Sequence, residues 1–429
     1  GDYVVAANET LTFYEQTGIR ADGSYAQPTA TLTNYGHISN VSPIVSNTIF
    51  GNIRSVHNYG TIYSENTFDY SYGFLNRAIG SGVLSVYNDG DISARGSKAY
   101  GVSTFGILQN AGNIHANGQT YAIGVNLRFS IDAPDIPFIN DGLIQADASG
   151  DGVSISSATG VVLDGITTAV NTGSILASAS GNGSESVGIS YSRSLSSTFT
   201  FSNSGVITAD WAIQQFRLFD SLWTTDQVSN SGTLNGKVDL GRGDDALSNS
   251  GWINDAVYLG VGNDIYDGAA AKSGVLVYGD YGDDTLTGGS NVDQFFGGDG
   301  SDTLTGQLGF DLLTGGAGAD TFKDTTAGLN GDRITDFSVG DRIVLTDANL
   351  SGFSYQLSGS TLTYTGGSLT LDNLPGGARM LSRAAAGGGG ELYLTTGSVP
   401  GAFNADFNGD GRSDVFWRND SGSISSWLG

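Results

Sequence analysis

One short pattern, Asn-x-Gly-x-Ile, returns nine times along the first 255 residues. Its Asn stands at Asn34, Asn58, Asn88, Asn110, Asn140, Asn171, Asn203, Asn230 and Asn249, with Leu234 replacing Ile once. The successive intervals are 24, 30, 22, 30, 31, 32, 27 and 19 residues. Fixed motifs at such spacings are what a solenoid needs, one motif per coil, with loops absorbing the differences. Asn and Gly tolerate positive φ and suit tight corners. The Ile then starts a short strand and points inward. The residue before it, His37, Thr61, Asp91 or Asn113, faces solvent, which explains its variety. Stacked Asn side chains are expected to form a hydrogen-bonded ladder. A weaker second element follows several copies: Tyr100-Gly101-Val102, Ile123-Gly124-Val125, Gly152-Val153 and Val187-Gly188-Ile189. No window sustains a 3.6-residue period, so a helical solenoid is set aside. The expected fold is all-β, a parallel β-helix over residues 1–235.

Composition narrows the partners. Acids outnumber bases 43 to 18, a net charge of −25. Nucleic acid and anionic membrane both need a basic footprint, so neither is expected. No stretch reaches the ~18 apolar residues of a membrane-spanning helix. With no Cys there is neither a disulfide framework nor a thiolate metal site. The first residues carry no Met and no basic segment, the mark of a processed product or fragment. The Asn-Gly series resembles the passenger regions of bacterial adhesins and autotransporter-like proteins.

From residue 279 a second period takes over. Asp284, Asp293, Asp302, Asp311 and Asp320 recur every nine residues. Gly stands five residues before each, at Gly279, Gly288, Gly297, Gly306 and Gly315, and an apolar residue two after. A solvated acidic loop does not explain that apolar residue. The run resembles the RTX nonapeptide G-G-x-G-x-D-x-U-x, which implies a parallel β-roll binding Ca²⁺. Asn291 replaces the Gly at the fourth position of its copy, and is expected to be left-handed there. Asp245 and Asp264 head two earlier copies at spacings of 19 and 20, close to two nonapeptides. Between them lies the last Asn-Gly corner, so the β-helix is expected to run into the β-roll (residues 236–322) without a linker, sharing one core. From Asp239 to Asp341 there are 18 Asp against 4 Lys or Arg. Such stacked carboxylates repel one another without cations. Ions are expected between Asp residues one full coil apart: Asp245/Asp264, Asp264/Asp284, Asp284/Asp302 and Asp302/Asp320 on one side, and Asp293/Asp311 on the other. That is about five Ca²⁺.

Residues 323–398 read as a small β-sandwich-like cap. The segment Asp332 to Leu345 resembles the one following RTX repeats in serralysin-type secreted proteins, which implies recognition by type I secretion. Thr361–Thr365 and Ser368–Asp372 alternate and read as antiparallel hairpins. Ala384–Gly390 is Gly-rich, a loop or the start of a linker. Residues 399–429 hold Asp406, Asn408, Asp410 and Asp414, alternating oxygen ligands with Gly411 at the sixth place, as in a calcium loop. This resembles a partial FG-GAP or VCBS repeat and implies one more ion and a longer parent protein.

No nucleophile elbow, HExxH or P-loop is present. Before residue 236 the only Lys is Lys98, and the Arg residues share no motif. The expected function is a secreted, calcium-stabilised structural or adhesive protein of the bacterial surface or matrix: an adhesin, surface-layer or fibre subunit. It would fold on calcium after export and self-associate into filaments or sheets. Aromatics in the insertions Phe68–Phe74 and Trp211–Trp223 are candidate contacts. Glycans or a host surface are further partners. The alternative is a polysaccharide lyase or mannuronan epimerase, which would need a base for the C5 proton.

Overall fold

The computed structural model describes residues 3–7, 9–13, 19–21, 30–41, 46–47, 49–51, 53–75, 84–128, 137–150, 155–192, 198–216, 225–349, 351–396, 415–418 and 424–427. Among them the regular structure is β, without a helix. Each coil contributes one strand to a first parallel sheet and one or two to a second. Register is set by the Asn column. Asn34 pairs with Asn58, Asn58 with Asn88, Asn88 with Asn110, and so on to Asn249.

The ladder forms. Asn34 Nδ2 donates to Asn58 Oδ1 at 2.8 Å, Asn58 to Asn88 at 2.7 Å, and each later Asn to the next at 2.7–2.8 Å. The motif's Ile side chains are buried in the core, from Ile38 to Ile253. Asp91 and Asn113 are exposed, and His37 and Thr61 half-buried, on the outer face.

The corner glycines correct the positive-φ expectation. Neither they nor the ladder Asn residues are left-handed. A Cβ on Gly60, Gly90, Gly112, Gly142, Gly173, Gly205, Gly232 or Gly251 would overlap the carbonyl oxygen of the equivalent Gly one coil back. Gly is required by close coil-to-coil approach, not by turn geometry. The second Gly column also differs. The mate of Gly124 is Gly160, within Thr159-Gly160-Val161, and Gly188 follows. Gly152 and Val153 lie outside the described residues. A Cβ on Gly124 or Gly160 would strike Cγ2 of Ile144 or Ile175 of the next coil.

Phe68–Phe74 is not an insertion. It lies within the strand Thr61–Leu75, and Tyr72 is buried and stacked on Tyr100 at 4.7 Å. Trp211 likewise belongs to the strand Val206–Gln215. At Tyr72 the aromatics of successive coils stack, whereas Trp211 lies under the ammonium of Lys237 on the next coil, 5.0 Å from the ring centroid. Phe216 is 55% exposed; Phe219 and Trp223 lie outside the described residues.

One hydrophobic core runs from Val5 to Leu394, through Leu247, Tyr266, Leu286, Leu304 and Phe322. The β-helix therefore continues into the roll on shared packing. The Asn ladder ends at Asn249, which faces the hydroxyl of the fully buried Tyr266. Beyond the roll the strands reverse. Arg342–Leu345 pairs parallel with Thr321–Asp324 but antiparallel with Gly390–Thr396. Thr361–Tyr364 and Gly367–Leu371 form the expected antiparallel pair, and Gly367–Leu371 also extends the second sheet from Arg333–Ile334. Antiparallel strands cover the otherwise open edges of both sheets. Ala384–Gly390 is no linker: residues 385–389 turn a hairpin, with Gly388 and Gly389 left-handed.

Candidate metal centre

The nonapeptide Asp residues follow short turns on the two edges of the roll. On one edge Gly262, Gly282, Gly300 and Gly318 are left-handed, with φ from +124° to +148°. The chain reverses there and the next Asp side chain turns inward. On the opposite edge Asn291 is not left-handed, contrary to expectation. That turn closes on its own carboxylate instead: Gly289 N–H donates to Asp293 Oδ2 at 2.9 Å.

The carboxylates stand in two columns. In the first, the backbone N–H of Asp245 donates to Asp264 Oδ1 at 2.7 Å. Asp264 donates likewise to Asp284 at 2.7 Å, Asp284 to Asp302 at 2.8 Å, and Asp302 to Asp320 at 3.0 Å. In the second, Asp293 donates to Asp311 at 2.8 Å. All five expected pairs are thus brought together, one coil apart.

The columns are longer than the nonapeptide run. Asp226 N–H donates to Asp245 Oδ1 at 2.7 Å, Asp320 to Asp341 at 3.0 Å, and Asp311 to Asp332 at 2.9 Å. Sequence reasoning missed these three as members. Asp226 stands 19 residues before Asp245, the interval already seen between Asp245 and Asp264. Asp332 and Asp341 stand 21 after their partners, because the coil lengthens as the cap begins. At Asp226 the ladder meets neutral donors, the Tyr191 hydroxyl at 2.9 Å and the Gln215 amide at 3.2 Å.

None of these ten carboxylates is more than 4% exposed. In Asp264, Asp284, Asp302, Asp311 and Asp332, Oδ2 is buried with no hydrogen-bond partner. A Cβ on Gly279, Gly288, Gly297, Gly306 or Gly315 would overlap Oδ2 of Asp284, Asp293, Asp302, Asp311 or Asp320. The first glycine of each repeat therefore opens the space that this oxygen occupies.

Without a counter-ion the arrangement favours protons. Burial pushes Asp264 up to about 7 and Asp332 up to about 7, and neighbouring carboxylates add to it. Burial, with Asp264, Asp302 and Asp280 adding to it, pushes Asp284 up to about 8. Asp302, Asp311 and Asp320 rise to about 6, and Asp293 also rises, in each case first through burial. A buried carboxylate with an unbonded oxygen is expensive unless a cation or proton meets it. No group of three or more His, Cys, Asp or Glu gathers among the described residues to hold a metal. What each step of the roll offers a cation is the Asp carboxylates, one or two per coil, several with an unbonded oxygen. All-oxygen donors of this kind suit a hard cation such as Ca²⁺.

Residues 276–304 and 296–323 match the profile of the RTX calcium-binding nonapeptide repeat (4 copies). The chain carries RTX calcium-binding repeats. The match does not reach the Asn-Gly coils or the segment after residue 323. No curated protein and no solved structure matches the chain.

The loop holding Asp406, Asn408, Asp410 and Asp414 lies outside the described residues. His57 lies on the first sheet, stacked on Tyr87, while His37 and His115 lie on the second, in different columns. The three do not converge.

Proposed function

We propose that the chain is a secreted structural or adhesive protein of the bacterial surface or extracellular matrix, held in shape by calcium. The supporting observation is the row of buried Asp carboxylates with unbonded oxygens, packed on the core that the Asn-Gly coils share. Asp245, Asp264, Asp284, Asp293, Asp302, Asp311 and Asp320 are the ligands of this reading, with Asp332 and Asp341 added at the cap. Inside the producing cell calcium is scarce, and the acidic roll stays unfolded and exportable. Outside, binding free energy becomes folding free energy, and the ordered roll templates the coils stacked on it. The product is a rigid rod that presents loops. Calcium titration of the unfolded chain, followed by circular dichroism, tests the reading. Cooperative gain of β signal is expected; a spectrum indifferent to calcium sinks it. Self-association belongs to the same reading, and light scattering and electron microscopy in millimolar calcium test it. Monomers alone would reduce the protein to a stalk.

A further inference from the structure

Bases are rare in this chain, yet all three whose side chains are described before residue 236 lie on two paired strands. Arg95 and Lys98 are on Asp91–Asn110, and Arg128 is on Asn113–Arg128. The same strands and Thr61–Leu75 carry Tyr70, Tyr72, Tyr100 and Tyr121. Tyr100 and Tyr121 alternate with the buried Ala99 and Ala122 and are, like Tyr70, half-buried, while Tyr72 is buried beneath them.

The tyrosines form one cluster across three coils. Tyr72 and Tyr100 stack at 4.7 Å, and Tyr70 lies 6.2 Å from both. Tyr121 breaks the stack, tilted 57° from Tyr100 at 5.8 Å, which leaves a ring face uncovered by its neighbour. Lys98 Nζ donates to the Tyr70 hydroxyl at 3.1 Å and sits 4.5 Å from that ring's centroid. Arg128 is exposed, and its charge reaches the hydroxyls of both Tyr100 and Tyr121. Among the described residues its guanidinium has no hydrogen bond or ion pair, and neither phenol hydroxyl has a partner. Asn126, between Tyr121 and Arg128 on the same strand, is buried with Oδ1 unbonded. Asp164 pairs in register with Arg128, but its carboxylate takes the Ser192 hydroxyl at 3.1 Å.

A guanidinium near two unpartnered phenols, with the Lys98 ammonium on the adjacent Tyr70, supplies donors for a carboxylate. Arg binds that group through two parallel N–H bonds. The tilted Tyr121 ring adds a flat apolar surface, and the phenols and Asn126 add partners for hydroxyls. A ligand with a carboxylate, an apolar ring face and hydroxyls together is a sugar acid. We propose that this patch binds an acidic polysaccharide, with Arg128 and Lys98 meeting a uronate carboxylate and Tyr121 meeting the ring. The inference extends the adhesive reading above by naming its partner class.

Isothermal titration of the full chain in millimolar calcium, with oligogalacturonate and with a neutral dextran oligomer, tests it. Oligogalacturonate should bind and dextran should not. R128A should weaken binding at least tenfold, with Y121A and K98A weakening it less. Circular dichroism should show all three variants folded. Absence of oligogalacturonate binding overturns the proposal. So does an undiminished affinity in R128A, which would mean that calcium bridges the ligand to the acidic roll. Either failure leaves the calcium-dependent fold standing, because that is read separately from the wild-type spectrum.

Discussion

Asp311 donates its backbone N–H to Oδ1 of Asp332 at 2.9 Å, although 21 residues and the end of the nonapeptide run separate them. Asp332 is fully buried, and Oδ2 of both residues is unbonded. The fourth nonapeptide and the cap are therefore joined through a pair of carboxylates whose unbonded oxygens call for a cation or a proton. On the other edge Asp320 donates likewise to Oδ1 of Asp341, whose Oδ2 accepts from the Ser338 backbone and hydroxyl.

Ion number follows from this geometry. The five pairs expected from sequence gain Asp311/Asp332 and Asp320/Asp341, so about seven ions should bind the roll, plus one in the Asp406 loop. Native mass spectrometry in calcium counts them. Asp332→Asn should lose one ion and leave the rest. Two or fewer ions in the intact protein would refute the pairing.

Chelation should melt the roll and cap, and then loosen the coils that share their core. Loss of β signal and a marked drop in Tm are expected on adding chelator. A Tm that does not move would show that carboxylate burial is met some other way.

The pH response should change sign with calcium. In chelator, Asp264, Asp284, Asp302, Asp311, Asp320 and Asp332 of the folded chain are pushed by burial to about 6 to 8, above the ordinary ~3.9 of an unfolded chain. The fold then binds more protons than the unfolded chain, so its stability is fullest below ~4 and is lost as pH rises towards 8. With calcium bound the carboxylates must be ionised, and acid weakens the site. Melting curves at pH 5 and pH 8, with and without calcium, should cross over. Parallel trends would contradict the assignment.

In the Asn-Gly coils, Asn140→Ala breaks two ladder bonds and leaves Asn171 Oδ1 without its donor. A cost of ~1–3 kcal/mol is expected. Gly142→Ala should cost more, because its Cβ would overlap the Gly112 carbonyl oxygen and force the coils apart. Thermal unfolding in calcium ranks the two, and a harmless Gly142→Ala would remove the close-approach argument.

The Asn column, the inward Ile and the nonapeptide Asp pairs were legible because one coil places each motif directly above the last. Periodicity then stands in for contact. Legibility failed where spacing drifted. Asp332 and Asp341 lie 21 residues on instead of 18, and Gly160 lies 36 residues after Gly124, across an irregular stretch. Tyr72 and Trp211 looked like loop residues because their aromatic neighbours obscured the two-residue period of the strand.

By itself the sequence determined the solenoid, its handover to the roll and the acid excess that calls for cations. All three depend on repeated residues whose partners are copies of themselves. Tertiary structure decided what repetition does not encode. It showed that corner glycines serve inter-coil approach, a distance between backbones that no local motif specifies. It extended the carboxylate columns into the cap at one end and to Tyr191 at the other. It also brought Lys98 to Tyr70 and Arg128 to Tyr100 and Tyr121, because coils of unequal length bring non-repeating side chains together only once they are stacked.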